Sequence, residues 1–506
     1  MLIDLDRAWP PMTRTTEVCI IGGGPAGITA ARHLLAQGHE VFLLEAGCCG
    51  QRPRSQPCHR QSPHRFGGCT SASAGPCVEL ATHLAPHSAH EGWPIAAADL
   101  EHAYEQARRS LNFPVWRPHP DDLETRGVSY PAFDKAAIEI GVARVDRTKE
   151  RFAFHRCDDL IAHARCTVIV HAVALEIGTD QTGHTAEHVL VISPGGTRLR
   201  VEAKAIVVAA GVMETPRLLL ASRGSHAEGL GNHHGNVGRY LSLGAPTFAG
   251  TIESDRAWSL LRVFGRRHVF EGEEMIVQLR PSAELRKREN IGSASISISS
   301  GPVSPQTAAN VFGAQRPRGA LRDWIRYQLG RSTLALRLDD EQMGDPDARV
   351  QLICERDDFD RPKIEVRGSQ GENARRAAST MVRTLRREFR RLGLGAVKPA
   401  AGLDDPALPQ RWTEAEVAAT QITVYGSGTT RMANRPSHGV VDEYGAVFDI
   451  AGLWIVGPSV LPSGGGANAL LTILALSHRI AARVSRHLRA PCPELSARPN
   501  CLVEGG

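Results

Sequence analysis

Apolar residues fall into distinct textures along the chain. Glu17 to Ile21 is a short apolar run, and Gly22-Gly23-Gly24-Pro25-Ala26-Gly27 follows at once. Ile28 to Leu35 then carries apolar residues at helical spacing, and Val41 to Leu44 is a second run that ends in Glu45. This order predicts strand, turn, helix and strand in succession. A helix from about Ala98 to Leu111 follows, with Arg108-Arg109 late, as the helix dipole prefers. Residues 112–165 read as loops with short helical pieces. Thr167 to Ile177, His188 to Ile192 and Thr197 to Val201 alternate or carry β-branched residues, which predicts a β-meander over 167–201. Ala205 to Ala210 is a buried strand running into a turn at Gly211. Glu214 to Leu220 starts a helix with Pro216 in its first turn.

From about 225 to 420 the texture changes. Strand-like runs (Thr247–Ile252, Met275–Leu279, Ala294–Ile298, Arg349–Cys354, Lys363–Val366) alternate with long polar connections, which predicts a second, sheet-based domain. A helix is predicted over Glu372 to Leu392. Its arginines, Arg383, Arg386, Arg387, Arg390 and Arg391 among them, read as a solvated face. Leu453 to Val456 is a buried strand, Ala469 to Leu488 a helix that is apolar first and basic last, and 491–506 a loose tail.

Composition narrows the class. A chain of 506 residues has room for two domains or more, and 42% apolar residues is a globular content. A net charge of +5 is mild, and no basic run is interleaved with aromatics, so no nucleic-acid partner is expected. No stretch reaches the roughly eighteen apolar residues of a membrane span. Met1 to Met12 lacks the apolar centre of a secretory signal. The eleven cysteines are odd in number and show no paired Cys-x-x-Cys repeats. Free thiols in a reducing cytoplasm are expected, with no metal site and no disulfide framework.

The glycine turn carries the chemistry. Gly22 permits the tight turn, Gly24 lets backbone approach a pyrophosphate, and Gly27 lets the helix pack close to the strand. The helix N-terminus offers free N–H groups to phosphates. Glu45, at the end of the second strand, can hold ribose hydroxyls. These features predict a dinucleotide site. Glu45-Ala46-Gly47 near the N-terminus suits FAD more than NAD, although the motif by itself decides neither. Further glycine-rich turns follow at Arg65-Phe66-Gly67-Gly68-Cys69-Thr70-Ser71 and at Leu461-Pro462-Ser463-Gly464-Gly465-Gly466-Ala467-Asn468.

These segments, in this order, resemble the glucose–methanol–choline (GMC) oxidoreductases, a family of FAD enzymes. The resemblance rests on the N-terminal fingerprint, on Arg65-Phe66-Gly67-Gly68 and on Gly92-Trp93-Pro94-Ile95. It continues through Ala209-Ala210-Gly211 with Glu214-Thr215-Pro216-Arg217, then Val237-Gly238-Arg239-Tyr240 and Pro346-Asp347-Ala348-Arg349-Val350. Gly428-Thr429-Thr430-Arg431-Met432, Gly439-Val440-Val441-Asp442 and Asn468 to Ala475 complete it.

The resemblance implies an α/β (α+β) fold: a Rossmann-like FAD-binding domain with an inserted antiparallel-sheet substrate domain. The FAD-binding domain would take residues 1–224 and 421–490, and the substrate domain 225–420. It implies that Gly22, Gly24, Gly27 and Glu45 hold the ADP half, that Val173 offers backbone groups to adenine, and that Ala210 and Gly211 lie beside the ADP moiety. Gly67 and Gly68 would lie near the pyrophosphate and flavin ring, and Gly457 and Ser459 at the diphosphate or ribityl chain. The helix entered through Asn468 and Ala469 would aim its N-terminus at the flavin edge.

The expected activity is hydride transfer from a CH–OH group of a small polar substrate, sugar-like or a biosynthetic intermediate, to FAD. The electron acceptor stays open among oxygen, a quinone and a protein. The chain also departs from the family. Alcohol-oxidising members carry a histidine three residues before the glycine of the Gly428–Met432 motif, and here that position is Tyr425. Asn468 is kept. Tyr425 and Asn468 are therefore the expected catalytic pair. His64, His233, His234 and His438 are candidate bases by residue type only. Ala72 stands where a covalently flavinylated member would carry histidine, so FAD is expected to be non-covalent. The missing histidines keep an alternative open: amine oxidation, desaturation or a redox-neutral lyase reaction on the same scaffold.

Overall fold

Val18 to Ile21 are apolar on both faces of a strand, and such strands belong inside parallel sheets. The structure, a computed structural model, describes residues 1–7, 13–47, 76–77, 79, 92–114, 116–148, 150–244, 247–300, 332–340, 345–368, 372–400, 403, 425–464 and 468–490. In it the strand Thr13–Ile21 pairs in parallel with Val41–Leu44 on one side and Arg198–Val208 on the other. Cys166–Val170 extends the sheet beyond Val41–Leu44, and Leu2–Asp4 forms its edge, both parallel. Leu453–Ile455 joins the C-terminal half of Arg198–Val208, again parallel. Ala186–Ile192 pairs antiparallel with that long strand, and Val173–Thr179 pairs antiparallel with Ala186–Ile192 to complete the eight-stranded sheet. The first helix, Pro25–Ala36, packs against the last, Leu470–Arg489, over the parallel strands.

A second eight-stranded sheet is antiparallel throughout. Its order is Ala396–Pro399, Thr247–Ser254, Ser332–Asp340, Ala294–Ser300, Glu273–Pro281, Ile138–Val145 and Pro76–Cys77, with His268–Phe270 beside Glu273–Pro281. One face is apolar. Leu279, Ile296, Leu336 and Leu338 pack there against Met381, Leu385 and Phe389 of the helix Glu372–Arg391. The arginines Arg383, Arg386, Arg387 and Arg390 lie on the exposed side of that helix.

The fold class is thus a Rossmann-like parallel sheet joined to an antiparallel sheet. Four local readings differ. Ile138–Val145 is a strand of the second sheet rather than loop, paired residue for residue with Glu273–Pro281. Its alternation is interrupted by Gly141, which reads as a breaker in sequence. The run 167–177 is two strands, broken at His171, whose φ is +55°. Only the second strand belongs to the antiparallel part of the sheet. Arg349–Arg356 and Pro362–Arg367 form a separate hairpin outside both large sheets. Pro216 lies inside the helix Gly211–Ala221, not in its first turn.

Candidate functional site

The parallel strands end together, and the chain leaves each of them through a small-residue loop. Gly22 follows Thr13–Ile21, Glu45 follows Val41–Leu44, Ala209-Ala210-Gly211 follows Arg198–Val208, and Gly457 follows Leu453–Ile455. Ligands of parallel sheets bind at the carboxyl ends of the strands. Backbone bonds hold these loops to one another. Gly22 N donates to Leu44 O (2.8 Å), Ala209 N to Ile21 O (2.7 Å) and Val456 N to Val208 O (2.9 Å).

Sterics explain the glycines. Gly22 has φ +113°, and a Cβ there would overlap the Ala209 carbonyl. A Cβ on Gly27 would overlap the Gly22 carbonyl oxygen. Gly24 differs: its Cβ would meet nothing within 4 Å, and the same holds for Gly211. These two open onto space at the start of the helices Pro25–Ala36 and Gly211–Ala221, where backbone N–H groups are unsatisfied. Gly457 (φ +117°) lies beside the first turn of the first helix: a Cβ added there would stand 3.6 Å from Ala26 Cβ.

Glu45 is 6% exposed. Its carboxylate accepts from Gly23 N (2.9 Å) and Gly47 N (2.7 Å), so it braces the glycine turn from below. A carboxylate has about four lone-pair sites, so acceptor capacity remains. Ala172 N donates to the Glu45 carbonyl, which sets Val173 at the same strand end.

The loop Gly428–Met432 lies along the segment after Gly457: Thr430 N donates to Ser459 O and Met432 N to Val460 O, both at 2.9 Å. Three hydroxyls there, on Ser427, Thr430 and Ser459, are buried and have no hydrogen-bond partner among the described residues. Buried polar groups are ordinarily paired, so such a cluster marks a place for a polar ligand. Ser427 and Thr430 carry no signal in sequence beyond their place in a glycine-threonine loop. Their burial comes only from the fold.

Asn468 is buried, and its Oδ1 accepts from Leu470 N (2.9 Å), opening the helix Leu470–Arg489 beside Ala469. Tyr425 begins the strand Tyr425–Ser427, opposite Gly244. Its side chain lies outside the described residues, as do Gly67, Gly68, Ala72 and His64. His233 and His234 are exposed, and His233 meets the ring of His226 edge-on. Among the described residues no group of three or more metal-ligating side chains occurs, and no helix is long and apolar enough to cross a membrane.

Open cradles at Gly24 and Gly211, a carboxylate at the strand end and buried hydroxyls at Thr430 and Ser459 fit a flavin dinucleotide. The comparisons agree with that fit. The family model described as GMC oxidoreductase matches residues 345–477, and that described as pyridine nucleotide-disulphide oxidoreductase matches residues 16–241. The 6'''-hydroxyparomomycin C oxidase of Streptomyces lividus is 23% identical, over 96% of this chain and 93% of its own length. The 2-methyl-1,2-propanediol dehydrogenase of Mycolicibacterium austroafricanum is 26% identical, over 58% of this chain and 49% of its own. A solved formate oxidase from Aspergillus oryzae shares the fold, with a TM-score of 0.55 at 16% identity, covering 94% of this chain and 99% of that one.

Proposed function

We propose, on the premise that this chain is an FAD-dependent enzyme of the GMC oxidoreductase family, that it oxidises a CH–OH group of a small polar substrate. The convergence of four loops at the carboxyl ends of the parallel strands carries the reading. Similarity to two proteins named for oxidising hydroxyl-bearing molecules supports it.

FAD, when bound, supplies the acceptor for the hydride. The chain supplies binding and orientation. Backbone N–H groups at Gly24 and the following helix turn face the diphosphate. Glu45 keeps lone pairs for ribose hydroxyls after serving Gly23 and Gly47. Ala210 and Gly211 flank the ADP half, and Val173 offers backbone to the adenine. Gly457, Thr430 and Ser459 satisfy the diphosphate and ribityl oxygens. The helix that starts behind Asn468 and Ala469 would present its positive end to the flavin ring.

Asn468 and Tyr425 hold the substrate oxygen. Asn468 Oδ1 is committed to Leu470 N–H, so its amide Nδ2 is the group left to donate. A tyrosine hydroxyl titrates near ~10, so Tyr425 is a hydrogen-bond partner and not a base at neutral pH. Ala72, in place of a histidine, leaves the flavin non-covalent. Denatured protein is expected to release all of its yellow colour to the supernatant.

Tyr425 at the histidine position also favours a second reading: amine oxidation, desaturation or a redox-neutral reaction. Anaerobic flavin absorbance before and after a panel of alcohols, amines and amino sugars decides between them. Bleaching by alcohols supports the first reading, and bleaching by amines alone overturns it in favour of the second. A yellow protein that nothing bleaches points to the redox-neutral form.

A further inference from the structure

The antiparallel sheet has a polar face. Gln278 and Arg280, Ser295 and Ser297, and Arg337 and Asp339 share it. They alternate with Leu279, Ile296 and Leu338, which stand opposite one another in the core. Buried polar groups need partners. Gln278 is buried and donates to Ser295 Oγ (3.2 Å). Asp339 is held above the usual carboxylate range by burial, against the pull of Arg337.

Arg280 differs from its neighbours. Its one hydrogen bond among the described residues is long, from Nη2 to Gln278 Oε1 at 3.4 Å. No carboxylate lies within ion-pair distance of it among the described residues. Glu139, opposite in register, is exposed and accepts from Ala283 N instead. Burial pulls Arg280 below the usual arginine value, and the charge of Glu139 only partly opposes this. The guanidinium lies over Gly141, where a Cβ would overlap Nε, and the Ser295–Gln278 chain braces its tip.

Arg280 lines a cavity of about 160 Å³ that reaches Leu471, in the first turn of the helix behind Asn468. The other arginines of that cavity are balanced. Arg108 and Arg117 both pair with Glu79 and Glu101. Arg144 lies 3.8 Å from Glu273, donates to the carbonyls of Pro114 and Trp116, and stacks on the Phe113 and Trp116 rings. Among the described residues the wall therefore carries one arginine without a carboxylate partner, beside aromatic surface and in a cavity that reaches Leu471, three residues after Asn468. A planar guanidinium in that setting matches a carboxylate.

We propose that Arg280 is a specificity residue that takes a carboxylate of the substrate, and hence that the substrate is an alcohol bearing an acid group. The proposal rests on the CH–OH oxidation argued above. The test is calorimetric titration of the FAD-loaded protein with benzoate and with its neutral isostere benzamide. Wild type binds benzoate at least about tenfold more tightly than benzamide, the advantage of charge-assisted over neutral hydrogen bonds. Arg280→Met abolishes that preference, and Arg280→Lys retains part of it. FAD content, read from absorbance, is the same in all three. Equal affinity for the two probes, binding of neither, or benzoate binding unchanged in Arg280→Met overturns the proposal. So does loss of FAD in either variant, which would assign the arginine to the cofactor. Because binding is read without turnover, failure of alcohol oxidation shows separately, in the flavin bleaching experiment.

Discussion

Gly24 and Gly27 stand in one turn for different reasons, and substitution separates them. A Cβ on Gly27 overlaps the Gly22 carbonyl oxygen and lies 3.1 Å from Ala209 Cβ, so neither neighbour can give way. Gly27→Ala is expected to cost more than about 2 kcal/mol, seen as a lowered melting temperature of the FAD-free protein. Gly24 has φ −81°, open to any residue, and space around its Cβ. Gly24→Ala is expected to leave the FAD-free melting temperature within about 2 °C of wild type. Its effect belongs to FAD affinity, measured by fluorescence titration, and unchanged affinity would count against a diphosphate at this turn. Glu45→Gln makes a complementary case. One backbone N–H, of Gly23 or Gly47, then faces an amide NH₂, at a cost of about 1–3 kcal/mol with and without FAD. A loss confined to the FAD-loaded form would mean that the brace contributes nothing. Spacing made these residues legible in sequence, because the same spacing that closes the turn also serves a phosphate. Ser427 and Thr430 were not legible, since a hydroxyl in a glycine-rich loop reads as turn chemistry until the fold buries it. Arg280 was silent for a similar reason: what marks it is that no carboxylate pairs with it among the described residues, and that is a property of packing.

The helix Gly211–Ala221 shows how two separated motifs are tied together. Proline has no N–H, so an interior Pro216 leaves the carbonyl four residues back, that of Val212, without its helical partner. Thr429 Oγ1, from the Gly428–Met432 loop, donates to that carbonyl at 2.7 Å, and Thr429 is fully buried. Thr429→Val keeps the shape and removes the donor. It is expected to destabilise by about 1–3 kcal/mol in urea unfolding, with Thr429→Ser close to wild type. Sequence placed Pro216 in the first turn because a helix start before Glu214 has no apolar period to announce it. The first and last helices meet through His33 and His478, whose Nδ1 atoms lie 3.2 Å apart. Burial, with His33 and His102 nearby, lowers His478 to about 4, and burial lowers His33 too. A histidine whose folded value is depressed binds its proton more readily when unfolded. Stability is therefore full above about pH 6.5 and falls as pH drops toward 4, a slope set by the proton bound only in the unfolded state. His478→Gln is expected to flatten that slope in a series of melting curves between pH 4 and 7. A slope equal to wild type would assign it to other groups.

At the scale of the molecule, the strands Pro76–Cys77 and Ile138–Val145 lie early in the chain, between strands of the parallel sheet, yet belong to the antiparallel sheet. No local pattern reports this, because a strand's alternation records that one face is buried and not which partner buries it. The parallel strands themselves were legible at Glu17–Ile21, Val41–Leu44, Ala205–Ala210 and Leu453–Val456, since each is a continuous apolar run, although their order in the sheet was not. The loops at their ends come from chain segments far apart: Gly22 to Glu45, Ala209 to Gly211, and Gly457 to Asn468. A ligand that touches all of them joins the two ends of the chain, and its binding energy adds to folding in proportion to RT ln(1 + [L]/Kd). The FAD-free protein is therefore expected to melt lower than the loaded form. Titrated FAD should raise the melting temperature continuously, the added stability reaching about 2.7 kcal/mol at a hundredfold excess over Kd. Gly24→Ala should shift that curve to higher FAD concentration, whereas Arg280→Met should leave it in place, because the arginine faces the cavity and not the strand ends. A melting temperature indifferent to FAD would mean that the loops close without the cofactor, and would remove the link between fold and chemistry argued from their convergence.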